Sequence, residues 1–196
     1  LDLFVGGRLV PRKYPVPASS KILRNDNGIF KDVTSSIASD LDSIGMVTDA
    51  IWVDVIGDNK KELIVVGEWM PVKFFEFTDG RFKDASERVG VSKETGWWHS
   101  IASADLDNDG DQDLIAGNLG LNTKYKASLD KPFHVFYDDF DNNGRGDIVL
   151  SYEQDGGLFT VRGRSCSAQQ VPSIKQKFPN YELFGEATVE DVFGDD

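Results

Sequence analysis

Four short segments of this chain open on an acidic residue and continue with three or four apolar or small ones: DLFVGGR (2–8), ELIVVGE (62–68), DLIAGNL (113–119) and DIVLSYE (147–153). Each reads as a strand leaving an acidic loop. A second pattern recurs as ILRNDNGIFKDVT (22–34) and FFEFTDGRFKDAS (74–86). Both run from an apolar strand through an Asp/Gly or Asn/Gly turn into Phe-Lys-Asp, the pattern of two antiparallel strands joined tightly. A third stretch, VFYDDFDNNGRGD (135–147), keeps only the opening strand before it enters another acidic loop.

The anchor acids Asp2, Glu62, Asp113 and Asp147 are separated by 60, 51 and 34 residues. These intervals scatter around the roughly 40–50 residues of a propeller blade, with loop insertions accounting for the spread. Strands therefore dominate, and the predicted fold is all-β: a β-propeller, as a partial or incomplete ring, with a short helical segment near the C-terminus. A β-sandwich with chance similarity between strands is the competing architecture. Helical spacing is confined to VPSIKQKF (171–178), which Pro172 could open, and ATVEDVF (187–193). The expected division is residues 1–165 for the blades and 166–196 for a helical insertion or edge cover.

Charge narrows the partners. The chain has 33 acidic and 21 basic residues, a formal net charge of −12, with no Lys/Arg stripe, so nucleic acid is not expected. Cys166 is the only cysteine, which excludes an internal disulfide, and no Cys/His spacing suggests zinc. No apolar run is long enough to span a bilayer. The chain opens on Leu1, as expected of a piece of a longer polypeptide whose leader or anchor lies elsewhere.

The excess acid collects in two loops. In the first, Asp105, Asp107 and Asp109 occupy positions 1, 3 and 5, Asp111 can offer its backbone carbonyl at position 7, and Asp113 closes the set at position 9. A hard cation such as Ca²⁺ takes six to eight oxygen ligands at about 2.3–2.6 Å, and Gly110 permits the sharp turn that folds them inward. The second loop repeats the register with Asp139, Asp141, Asn143, the Arg145 carbonyl and Asp147. Fewer formal charges there predict weaker affinity. An EF-hand requires a glutamate at position 12, where this chain has Ala116 or Leu150. A worn copy at 54–62 carries Ile56 at position 3 and lysines at 60 and 61, so a metal-free loop with a lysine ammonium in partial replacement is expected.

DxDxDGxxD followed by an apolar strand resembles the calcium loop of FG-GAP and VCBS repeats, over about residues 1–153. More narrowly, DLFVGGR, GWWHSIASADLDNDGDQDLIAGNLGLNTKYKAS and DFDNNGRGD look like the repeat region of bacterial ASPIC/UnbV-type proteins. The resemblance implies a non-enzymatic propeller, secreted, attached to the cell surface or periplasmic. It implies Ca²⁺ at two sites, held by Asp105, Asp107, Asp109, Asp111 and Asp113, and by Asp139, Asp141, Asn143, Arg145 and Asp147. Propellers close with four to eight blades and this chain supplies about three and a fragment, so missing blades or a homodimer would complete the ring.

Other candidates read more plainly. Arg145-Gly146-Asp147 spells an adhesive tripeptide, but Asp147 is needed inside its loop. Trp97 and Trp98 would face opposite sides of a strand, one in the core and one available to a ligand. His99 and His134 lack partners at catalytic or zinc spacing. The leading function is therefore a calcium-binding module for binding or adhesion, with an unknown protein or glycan as partner. A carbohydrate-active enzyme is the alternative, since some propellers use paired carboxylates in this way. No GxSxG, HExxH, GxGxxG or P-loop string supports it. A purely structural segment of a large surface protein is the third class.

Overall fold

The computed structural model describes residues 2–194, so the last two residues of the helical stretch predicted over 166–196 lie outside the described residues. The chain divides into two compact units, Leu1–Gly120 and Leu121–Asp196, a boundary that falls inside the segment 1–165. The structure is mostly antiparallel β-sheet with a few short helices.

In the first unit, β1 (Leu3–Val5), β2 (Lys21–Asp26) and β3 (Ile29–Asp32) form one sheet in that order. A short helix, α1 (Thr34–Ile37), and a single 3-10 turn at Ser39–Leu41 follow. Strands β4 (Met46–Val53), β5 (Glu62–Pro71), β6 (Lys73–Thr78) and β7 (Arg81–Asp84) then make a four-stranded antiparallel meander. From Glu68 the end of β5 also pairs with β8 (Thr95–Ala104), with a register shift between Glu68 and Met70, and β8 pairs with β9 (Asp113–Asn118). In the second unit, β10 (Phe133–Asp138), β11 (Asp147–Gln154) and β12 (Gly157–Thr160) form a meander. It is followed by α2 (Arg164–Gln170), α3 (Ile174–Lys177), α4 (Tyr181–Glu186) and α5 (Val189–Phe193).

Three of the four strands expected after an acidic loop begin where the pattern places them, at Glu62, Asp113 and Asp147, and the first begins at Leu3, one residue after Asp2. The tight hairpins also occur. Asn27-Gly28 and Asp79-Gly80 take positive φ at both central residues, at 55° and 92°, and 55° and 77°. A two-residue turn of that hand matches strand twist, and Asn, Asp and Gly tolerate it. The stretch 135–147 keeps only the opening strand, as its sequence indicates. Its strand leads into an acidic loop, as β4 and β8 do, and the third tight turn lies later at Asp155-Gly156, with φ of 50° and 80°.

The core is organised by β5, whose residues 62–68 are all buried. Successive side chains leave a strand on opposite faces, so one run serves two clusters. Leu63 and Val65 pack with Ile22, Leu41 and Phe75, while Ile64 and Val66 pack with Val53, Phe74 and Ile101. In the second unit, Ile174, Phe178, Phe184 and Val192 from the helices form a further cluster with Phe140 beside it. The helical spacing read from Val189, Val192 and Phe193 therefore marks a packed face. Thr188 and Asp191 close a reciprocal capping box at the start of α5. Helix α2 has no apolar periodicity to announce it, and it buries only Ser167 and Ala168.

The recurring Phe-Lys-Asp ends in a side-chain clasp. Asp32 accepts hydrogen bonds from the Thr34 N–H and hydroxyl, and Thr34 Oγ1 accepts the Ile22 N–H at 2.9 Å. Asp84, Ser86 and Phe74 repeat this arrangement, with Ser86 Oγ accepting the Phe74 N–H at 2.9 Å. Both hydroxyls are buried, so no water is at hand to replace them. Ser86→Ala orphans the Phe74 amide and is expected to lower stability by about 1–3 kcal/mol in a denaturant titration. Phe75→Ala, which opens a cavity in the first cluster, is expected to cost about 3–5 kcal/mol by the same measurement.

Candidate metal loops

Three nine-residue loops join paired strands: 54–62 between β4 and β5, 105–113 between β8 and β9, and 139–147 between β10 and β11. They share one hydrogen-bond plan. The carboxylate at position 1 accepts backbone N–H groups from positions 5 and 6: Asp54 from Asp58 and Asn59, Asp105 from Asp109 and Gly110, Asp139 from Asn143 and Gly144. The side-chain oxygen at position 5 accepts the N–H of position 7, at 2.9–3.1 Å in Asp58, Asp109 and Asn143. The acid at position 9 accepts the N–H of position 2: Glu62 from Val55, Asp113 from Leu106, Asp147 from Phe140.

The backbone follows the same plan. Positions 4 and 6 have positive φ in all three loops: Gly57 and Asn59, Asn108 and Gly110, Asn142 and Gly144. Only Gly and Asn occupy these six places, the two residue types that enter this region at least cost.

Within this frame carboxylate oxygens converge. One oxygen from each of Asp105, Asp107 and Asp109 lies within 4.8 Å of the others, and the same holds for Asp139, Asp141 and Asp147. These clusters could hold metal ions. Of the other predicted ligands, Asp113 sits at position 9 on the first residue of β9, Asp111 and Arg145 lie at position 7, and Asn143 turns its side-chain oxygen to the Arg145 amide. Asp111 has its carboxyl pushed up, first by the charge of Asp109 and further by Asp113 and Asp107.

The two clusters differ in burial. Asp105, Asp107 and Asp109 are exposed, whereas Asp147 is only 6% exposed and its Oδ2 has no hydrogen-bond partner. Burial raises the Asp147 carboxyl above its ordinary range, and the charges of Asp141 and Asp139 raise it further. The same burial withdraws Asp147 from an adhesive Arg-Gly-Asp reading.

In the 54–62 loop, Lys60 Nζ pairs with Asp58 at 2.9 Å. Asp54, Asp58 and Glu62 nevertheless bring oxygens within 4.8 Å of one another, while position 3 is the side chain of Ile56. Glu62 is buried, which pushes its carboxyl up, with Asp54 and Asp58 adding to the shift.

A network absent from the sequence reading surrounds Glu68, which is 3% exposed at the β5 register shift. Arg8 donates to Oε1 from Nε at 3.1 Å and Nη2 at 2.5 Å, Tyr14 donates to Oε2 at 3.2 Å, and Trp69 donates to the Tyr14 hydroxyl at 2.6 Å. Trp97 lies 5.1 Å from Trp69, ring centre to ring centre, and Trp69 itself has φ of 60°. Trp98 leaves the other face of β8, packs on the second core cluster and donates to the Glu94 carbonyl. Both tryptophans are half-buried. No spacing rule could have joined residues 8, 14, 68, 69 and 97; the adjacent Trp97-Trp98 pair was the only visible signal.

The sequence model of the FG-GAP-like repeat family matches residues 54–116. That span runs from position 1 of one acidic loop, through β5 to β8, past position 9 of the next loop and into β9. No curated protein is similar enough to the chain to count as a match. Among the described residues, no helix is long and apolar enough to cross a membrane.

Burial raises the Glu68 carboxyl, but hydrogen bonds from Arg8, Trp97 and Tyr14 outweigh it and leave the group below the ordinary glutamate range. Its stabilising contribution is therefore present above the unfolded pKa, about 4.3, and lost as pH falls through the lower folded value. Glu68→Gln is expected to lower stability by about 1–3 kcal/mol at neutral pH. Denaturation repeated near pH 3 should show the gap between variant and parent narrowing.

Proposed function

We propose that this chain is a calcium-stabilised β-propeller module that serves binding or adhesion and not catalysis. Its blades are of the FG-GAP/VCBS type, similar to the repeat region of bacterial ASPIC/UnbV-type proteins. It works in an extracellular, cell-surface or periplasmic setting, and further blades or a second copy complete the ring. The two ions sit at 105–113 and 139–147.

The observation that carries this reading is Asp147. A carboxylate oxygen buried without a donor, facing Asp139 and Asp141, combines desolvation with like-charge repulsion. Among the described residues no side-chain cation pairs with it. A divalent cation offsets both costs at once. The oxygen-only ligand set suits a hard ion, and Ca²⁺ tolerates an irregular shell of six to eight oxygens where Mg²⁺ requires a strict octahedron. Two ions would change the net charge from −12 to about −8.

The enzymatic alternative needs a carboxyl free to cycle its proton. Loop acids on a cation are held ionised, and Glu68 is held ionised by Arg8 and Tyr14.

Calcium that binds the folded loops and not the unfolded chain adds about 2.7 kcal/mol per site at a hundred times the dissociation constant. For a chain of this size that is about 5–10 °C in melting temperature per site. Chelated protein should gain this shift with millimolar CaCl₂ and not with MgCl₂. The Asp107→Ala, Asp141→Ala double variant should not respond. An unchanged melting temperature in parent protein with calcium would overturn the reading.

A further inference from the structure

We propose that the second unit carries a binding cleft for an acidic sugar, a uronate or sulfated residue of a polysaccharide. The site is a cavity of about 450 Å³ between the segment that precedes β10 and the surface of β10 and β11, lined by Lys124, Tyr125, Lys126, Lys131, Phe133 and Tyr152 among others. That volume lies within the range of small-ligand sites. The proposal supplies the ligand class of the binding module above and rests on that reading, but the cleft shares no residue with the acidic loops.

Charge fixes the sign of the ligand. Three lysines line the cleft against one acid, Glu153, in a chain whose net charge is −12. Among the described residues none of the three forms an ion pair; every pair described uses other cations. In so acidic a protein, three neighbouring ammonium groups facing a single carboxylate form a local positive field that an anion would neutralise.

Aromatic geometry fixes the shape. Tyr125 stacks on Phe133 with ring centres 4.4 Å apart and planes 28° from parallel, which braces one half-buried wall of the cleft. Tyr152, 40% exposed, leans on Phe159 at 6.3 Å. The negative face of an aromatic ring accepts the partially positive C–H face of a pyranose. Lys124 Nζ stands 5.1 Å over the Tyr125 ring, a cation–π contact that fixes a charge at the cleft wall and leaves the exposed Tyr152 as the ring offered to the sugar. Lys126 is anchored through one hydrogen bond to the Leu121 carbonyl, leaving two of its N–H donors for a ligand.

A phosphate-led ligand fits less well. The lining comes from an irregular segment and strands, with no helix N-terminus or glycine loop to present backbone amides to a phosphate.

The test is calorimetric titration of the full chain with tetragalacturonate and with a sulfated carrageenan tetrasaccharide. Neutral cellotetraose and a dT oligonucleotide are the comparison probes. Each is run on chelated protein, and the sulfated probe is repeated with CaCl₂. The acidic oligosaccharides should bind, more weakly as salt rises, and cellotetraose should not. Lys124→Ala, Lys131→Ala is expected to weaken binding about tenfold or more, and Tyr152→Ala to weaken it as well, with parental far-UV spectra and melting temperatures. Binding of neither acidic probe, equal binding of cellotetraose, tighter binding of the oligonucleotide, or indifference to the lysine variant would overturn the proposal. A calcium-dependent melt without oligosaccharide binding removes this site alone; oligosaccharide binding without a calcium shift removes the metal reading and leaves the cleft.

Discussion

An aspartate that accepts two or three backbone N–H groups through both of its oxygens can hold a nine-residue loop closed. In each of the three loops this hydrogen-bonded position 1, with a second acid at position 9 gripping the position 2 amide, sets where one strand ends and the next begins. The loop thereby fixes the register of β4 on β5, β8 on β9 and β10 on β11. Because a one-residue slip would move every side chain to the opposite face, the two-sided burial of β5 depends on the 54–62 loop as much as on its own apolar run.

The same plan separates scaffold from ligand set. Lys60 and Ile56 change the chemistry of the 54–62 loop without changing its amide contacts at positions 1, 5 and 9 or its positive φ at positions 4 and 6. The hydrogen-bond plan is therefore common to all three loops, and the acid at position 3 is the variable part. Electrostatic cost is concentrated where burial joins it, at Asp147 and Glu62, both with carboxyls pushed up first by desolvation. Glu68 is the counterpart: equally buried, but supplied with Arg8, Tyr14 and Trp97, so that its charge is compensated within the protein.

Sequence by itself determined the local elements of this chain. An acidic residue opening an apolar run located three loop-to-strand junctions to the residue, and Asn-Gly and Asp-Gly located two hairpins, because these features depend on backbone chemistry within a few residues. Helix α2 was illegible, since its burial comes through Ser167 and Ala168 with no apolar stripe, and the third hairpin, at Asp155-Gly156, is not followed by the Phe-Lys-Asp that marks the other two. Only the tertiary structure decided which acids are buried, which carboxylate lacks a donor, and which distant residues meet. The Arg8–Tyr14–Glu68 network and the lysine cleft at 124–131 join groups that no periodicity relates, because burial and convergence are set by the packing of whole sheets and not by neighbours in the chain.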